Sequence, residues 1–169
     1  MKKNFFKFMM IALMGLVCVT TFTACGDDND EDVIGGETSD VTIGTHRIDV
    51  SFDGNFSGWN VEVGFIGSPY GTPLYEDGEE LKTNEGMWTG KVFRSYSVST
   101  NDKSQNLTTV IRLQKNGHAT AQPVTVNLRS YVNGKQKKMK SVVVDGSHNL
   151  KQITLYSELT EGFQELDLD

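Results

Sequence analysis

Aromatic rings beside carboxylates are the first residues in this chain that could do chemistry. Residues 67 to 87 read GSPYGTPLYEDGEELKTNEGM, and Trp88 follows. Tyr70, Tyr75 and Trp88 offer ring faces, while Glu76 and Asp77, with Glu79 and Glu80 close by, offer acceptors. That combination suits carbohydrate: the C–H face of a sugar stacks on a ring and its hydroxyls donate to acids. It also suits a protein partner, because Tyr and Trp are enriched at interfaces. Tyr70, Tyr75, Glu76, Asp77 and Trp88 are therefore the candidate ligand-binding residues. In the structural alternative, Tyr75 and Leu81 plug the end of the domain and the acids only solvate the loop. A connection of this length without regular structure is uncommon, so it hides a short strand or is a functional loop. Two of the three prolines stiffen it.

The second candidate is cationic. In PVTVNLRSYVNGKQKKMKSVVV, two alternating runs flank Asn133-Gly134, the pair that a tight two-residue hairpin prefers. Pairing across that turn sets Val132 opposite Lys135, Leu128 opposite Met139 and Val126 opposite Ser141. Arg129 then faces Lys138, with Lys140 beside it, and like charges directly opposed are unfavourable. An anionic partner would offset them; alternatively the lysines guard a sheet edge against pairing with other chains. Few aromatics interleave with these bases, so nucleic acid is not an expected partner.

Catalytic spacing is absent. The chain has no G-x-S-x-G, H-E-x-x-H, P-loop or dinucleotide glycine fingerprint. His46, His118 and His148 fall far apart in different elements, without ligand spacing. Asp28, Asp30 and Asp32 echo the start of a calcium loop, but Val33 stands where such a loop needs glycine and Ser39 where it needs glutamate. The expectation is a non-catalytic protein with no cofactor and no metal.

Alternation with period two dominates the body. In HRIDVSF, Ile48, Val50 and Phe52 share a face; in WNVEVGFI, Trp59, Val61, Val63 and Phe65 do. Residues 88 to 98 continue with Val92, Tyr96 and Val98 in phase, and Leu107, Thr109, Ile111 and Leu113 form the next strand. Ile153 and Leu155 mark the last. Seven or eight short strands without a helical period predict an all-β, antiparallel two-sheet sandwich, with a small barrel as the alternative. Its architecture is similar to immunoglobulin domains or a related Greek key, although no Cys-Trp-Cys framework is present. The expected domain spans 44 to 157, where thirteen Lys and Arg stand against ten Asp and Glu, although the whole chain carries −6. Residues 158 to 169 read as an acidic tail or a short edge element.

The N-terminus supplies an address. Lys2, Lys3 and Lys7 precede an uncharged stretch, residues 8 to 24, that is too short to span a bilayer and ends in small residues, as a secretory signal does. Phe22-Thr23-Ala24-Cys25 resembles the lipobox of bacterial lipoproteins. That resemblance implies removal of residues 1 to 24 and lipidation of Cys25. The other cysteine, Cys18, would leave with the signal, so Cys25 has no disulfide partner. Residues 25 to 43 read as a flexible linker, because the acids from Asp27 to Asp32 repel one another. The same acids resemble the export signal of surface lipoproteins of the Bacteroidetes. The resemblance implies an outer-membrane lipoprotein facing the cell exterior, or alternatively the periplasm. It implies a binding role, in glycan capture or adhesion; the alternative is an interaction subunit that recruits an envelope or host protein.

Overall fold

The computed structural model of the chain describes residues 41–117, 120–158 and 162–168. Cys25, the acidic stretch from Asp27 and His118 lie outside them. Eleven strands follow in chain order: β1 (His46–Gly54), β2 (Trp59–Ser68), β3 (Leu74–Glu76), β4 (Glu79–Glu80), β5 (Met87–Gly90), β6 (Tyr96–Thr100), β7 (Asn106–Lys115), β8 (Val124–Val132), β9 (Lys135–Val144), β10 (Leu150–Tyr156) and β11 (Phe163–Leu168). Six of them form one sheet in the order β4-β3-β6-β1-β8-β9, and five form the other in the order β11-β10-β7-β2-β5. Every strand pair is antiparallel, and the two sheets stay open instead of closing into a barrel.

Alternation decides the packing, because successive side chains on a strand point to opposite faces. Ile48 and Val50 of β1, Val98 of β6 and Val126 and Leu128 of β8 are buried from the six-stranded sheet. Val63, Phe65, Leu107, Ile111, Leu113, Ile153 and Leu155 meet them from the five-stranded sheet. Burying each such side chain contributes about 1.5–3 kcal/mol relative to leaving it in water. Trp59 joins this core as its phase required, and its Nε1–H donates to the Gln122 carbonyl at 2.7 Å. Gly58, just before it, has a positive φ of 88° and would press a Cβ within 2.9 Å of the Ala121 backbone, so only glycine fits there.

Two expectations need correction, and two alternatives left open by the sequence are decided. Residues 88 to 98 are not one strand: β5 pairs with β2 in one sheet and β6 with β1 in the other, and Lys91 to Ser95 carry the chain across. Val92 is thereby turned out to solvent, 61% exposed. Residues 67 to 87 do hide short strands, because β3 and β4 form a small hairpin inside them. Its turn residues Asp77 and Gly78 both have positive φ, 52° and 81°. The acidic end takes the edge-element alternative, since β11 pairs with β10 from Leu155↔Phe163 to Leu150↔Leu168.

The last correction is the hairpin register. Asn133 and Gly134 do form the turn, with φ of 49° and 76°, and Val132 faces Lys135. Beyond Tyr131, however, the ladder shifts: Tyr131 pairs with Gln136 and Ser130 with Lys138, so Lys137 is an extra residue. Every later partner moves by one. Leu128 faces Lys140, not Met139; Val126 faces Val142, not Ser141; Arg129 faces Met139, not Lys138. The bulge thus removes the like-charge opposition that the simple register implied. It also divides the cations, with Arg129 on the outer face of the sheet and Lys138 and Lys140 in phase with buried Val142 and Val144.

Candidate functional site

The five residues singled out between 67 and 88 do not converge. Trp88 packs against the core, with its ring 6.0 Å from Phe65 and 5.6 Å from Tyr96. Glu76 is held by Arg94 through two bonds of 2.7 Å, and the Arg94 guanidinium lies 4.0 Å above the Tyr96 ring. Glu76 raises the Arg94 pKa further through these hydrogen bonds. Asp77 sits in the β3–β4 turn, where its positive φ and not a ligand explains its place. Tyr70 is 59% exposed and lies so close over Gly86 that no Cβ would fit there. The plug in the structural alternative is formed by fully buried Leu74 with Leu81, not by Tyr75.

Tyr75 goes elsewhere, and that places the candidate site. It alternates with buried Leu74 and so stands on the outer face of the six-stranded sheet. There the register draws one row across five strands: Glu80, Tyr75, Ser99, Arg47 and Tyr131. Neighbouring strands lie about 4.8 Å apart, so Tyr75 and Tyr131, three steps apart, are about 14 Å from each other. Arg47 between them stacks 4.0 Å from the Tyr131 ring centre and pairs with Asp49 at 3.2 Å. Asp49 also accepts from the Ser97 hydroxyl at 2.8 Å and faces Arg129 on β8. Further along, Asn127 donates to Asp53 at 2.6 Å and accepts from Ser141 at 2.8 Å. The face is a polar surface with two phenol rings and side chains already oriented by one another. Tyr131, Arg47 and Asp49 were not singled out from sequence; their signal was the outward phase of their strands, which only a known strand order turns into a row.

At the end of the sandwich where β1 begins, His46 holds a buried polar cluster. Its Nε2–H donates to the Thr42 carbonyl at 3.1 Å, and its Nδ1 meets the Ser157 hydroxyl at 2.8 Å. Ser157 also accepts from the Leu107 N–H at 2.9 Å and lies 2.9 Å from Asn106 Oδ1. The Thr42 hydroxyl donates to Glu158 at 2.8 Å, so the segment entering β1 is latched to the end of β10. His46 and Ser157 are both fully buried, and this pair closes the fold instead of presenting a nucleophile.

Burial pushes the His46 pKa below its ordinary value, against the bond to Thr42 and the charge of Glu158, which favour the cation; Lys137 lowers it further. An unfolded His takes up its proton near pH 6.5 while the folded one resists. Stability is therefore full above about pH 6.5 and falls as the pH drops through 6.5 toward the folded value. Urea midpoints are expected to be lower at pH 5.5 than at pH 8, and His46→Gln should flatten that difference. An unchanged slope in the variant would sink the assignment.

No family model matches the chain, and no curated protein matches it. Among solved structures it is similar to a DUF4425 family protein from Bacteroides ovatus, at 19% identity over 71% of this chain and 100% of that one, with a TM-score of 0.60. It is similar to a DUF4425 domain of unknown function from Bacteroides vulgatus, at 19% identity over 71% and 99% of the two chains, with a TM-score of 0.58. A third is the calcium-bound form of a protein from Parabacteroides distasonis, at 18% identity over 83% and 100%, with a TM-score of 0.53. At these identities the likeness is one of fold.

Proposed function

We propose that this protein is a non-catalytic binding lipoprotein, anchored in the outer membrane through Cys25, facing the cell exterior and capturing extended glycans on its six-stranded sheet. The row that places Tyr75 and Tyr131 about 14 Å apart on one polar face carries the reading. The Tyr75 ring stacks on the C–H face of one sugar and Tyr131 on another through the ring face that Arg47 does not cover, while Arg47, Asp49 and Asn127 exchange hydrogen bonds with hydroxyls between and beside them. The membrane half of the reading rests on the lipobox-like Phe22-Thr23-Ala24-Cys25 and the acids that follow. Several acyl chains on one cysteine anchor durably, at about 0.8 kcal/mol per buried methylene. The structural neighbours come from Bacteroides and Parabacteroides, which fits a protein of the Bacteroidetes.

The test is retention of the full chain, in mild detergent, by an array of host and plant polysaccharides. Tyr75→Ala and Tyr131→Ala should each weaken binding at least tenfold, which is about 1.4 kcal/mol. Tyr70→Ala should leave it unchanged. Variants that bind like the parent, or an array that retains nothing, would overturn the glycan reading.

A further inference from the structure

Among the described residues, one side of the sandwich is bounded by two sheet edges with no further strand beside them. β9 ends the six-stranded sheet and β11 ends the five-stranded sheet. They lie one above the other, because Lys140 of β9 holds its ammonium 5.2 Å from the ring centre of Phe163 in β11. Each edge presents a row of free backbone N–H and C=O groups, a template for another strand.

The two edges are opposite in charge and alike in apolar pattern. β9 carries four lysines and no acid; β11 carries Glu165 and Asp167 and no base. Within the molecule one ammonium, Lys151, serves both of those carboxylates, at 2.7 and 3.0 Å. On the outward phase, Met139 and Val143 of β9 are each 65% exposed, and Leu166 and Leu168 of β11 are 49% and 40% exposed. Single exposed apolar side chains are ordinary. Here half of the eight large exposed hydrophobics among the described residues sit on the two edge strands, one pair on each outer face of the sandwich, beside the backbone groups that a further strand would use.

Charge then selects the partner. β9 against a second β9 sets lysine beside lysine, and β11 against a second β11 sets acid beside acid; both are unfavourable. β9 against β11 pairs lysines with acids and Met139 and Val143 with leucines. We infer that the chain forms a two-fold dimer in which β9 of each copy pairs with β11 of the other. A two-fold axis along the strand direction makes both contacts at once and closes the assembly, so it does not run on into a fibre. Antiparallel steps through each sheet, with the short turn from β1 to β2, leave β9 and β11 running the same way. The new ladders are therefore parallel, slightly weaker per residue than antiparallel ones, and the dimer exchanges with monomer.

Sedimentation of the full chain in mild detergent tests this. The parent protein should move from monomer to twice that mass as concentration rises. Lys137→Glu with Lys140→Glu should stay monomeric, and so should Glu165→Lys with Asp167→Lys. Mixed in equal amounts, the two variants should dimerise again, since each supplies the edge that the other needs. Lys138 is left in place because it donates to the Tyr156 carbonyl at 2.9 Å. A parent protein that stays monomeric at every concentration would overturn the inference. So would variants that dimerise alone, or two parent-like melting curves whose mixture stays monomeric. If the β11 variant melts early through loss of the Lys151 pairs, Met139→Asn with Val143→Asn carries the test. Those side chains are exposed, so the fold should stand while dimerisation falls at least tenfold; a dimer of undiminished strength counts against the proposal.

Discussion

Ser157→Ala is expected to destabilise the domain by about 2–4 kcal/mol, more than any other change of one polar atom in it. The hydroxyl oxygen accepts from the Leu107 N–H, and its single proton is shared between His46 Nδ1 and the part-buried Asn106 Oδ1, all within 2.9 Å. Leaving a buried donor or acceptor without a partner costs about 1–3 kcal/mol each. Asn106 keeps the Glu158 N–H at 3.2 Å, so the full loss falls on two of the three. Ser130→Ala is the natural comparison, because its hydroxyl makes one longer bond of 3.3 Å to the Ser157 carbonyl; it should cost about 1 kcal/mol. Urea unfolding of both variants at pH 8 measures the difference, with an unchanged m-value showing that stability and not compactness has moved. Equal losses in the two variants would show that Ser157 is no hub.

Phe65→Ala should cost about 3–5 kcal/mol, a large share of the 5–15 kcal/mol that holds an ordinary domain together. Phe65 is fully buried in β2, in a row that crosses the whole five-stranded sheet: Trp88, Phe65, Thr109, Leu155 and Phe163. Its ring lies 6.0 Å from Trp88 and 6.3 Å from Tyr96, so its removal opens a cavity lined by aromatics that β5 and β6 hold in different sheets. The neighbours cannot close in without moving both sheets. Phe65→Leu keeps most of the volume and should cost about 1.5 kcal/mol or less. Trp88 reports the same event, because losing its cover should shift its emission to the red while Trp59, bonded to Gln122, holds its own. A loss under about 1.5 kcal/mol in the alanine variant would mean that the site collapses freely.

Much of the architecture was legible in the sequence, and the reason is local. A strand half-buried in a sandwich must alternate, so Ile48 and Val50, Val61 to Phe65 and Ile111 with Leu113 announced both their strands and their inward faces. Asn133-Gly134 announced its turn because few other pairs accept two positive φ values in succession. Where period two misled, a local break was responsible. Val92, Tyr96 and Val98 stay in phase by number, but the chain changes sheets between Lys91 and Ser95. The Lys137 bulge adds one residue to one strand, and nothing in KQKKMK distinguishes it from a regular run. β3 and β4 are too short to show a period at all.

The functional surface was less legible, because it is assembled from partners distant in sequence. Tyr75 was singled out with Tyr70, Glu76, Asp77 and Trp88 as neighbours along the chain, yet a strand sends neighbours to opposite faces. Glu76 was taken up by Arg94, Trp88 turned toward the core, and Tyr75 joined Arg47 and Tyr131 instead. By itself the sequence determined an all-β sandwich, its main strands, its principal turn and the inward phase of its core, since each depends on a few adjacent residues. Which strands lie side by side, which outward residues form one face and which edges stay open were decided only in three dimensions. Those follow from burying both sheets together, a free energy shared among residues as far apart as His46 and Ser157 that no short window of sequence contains.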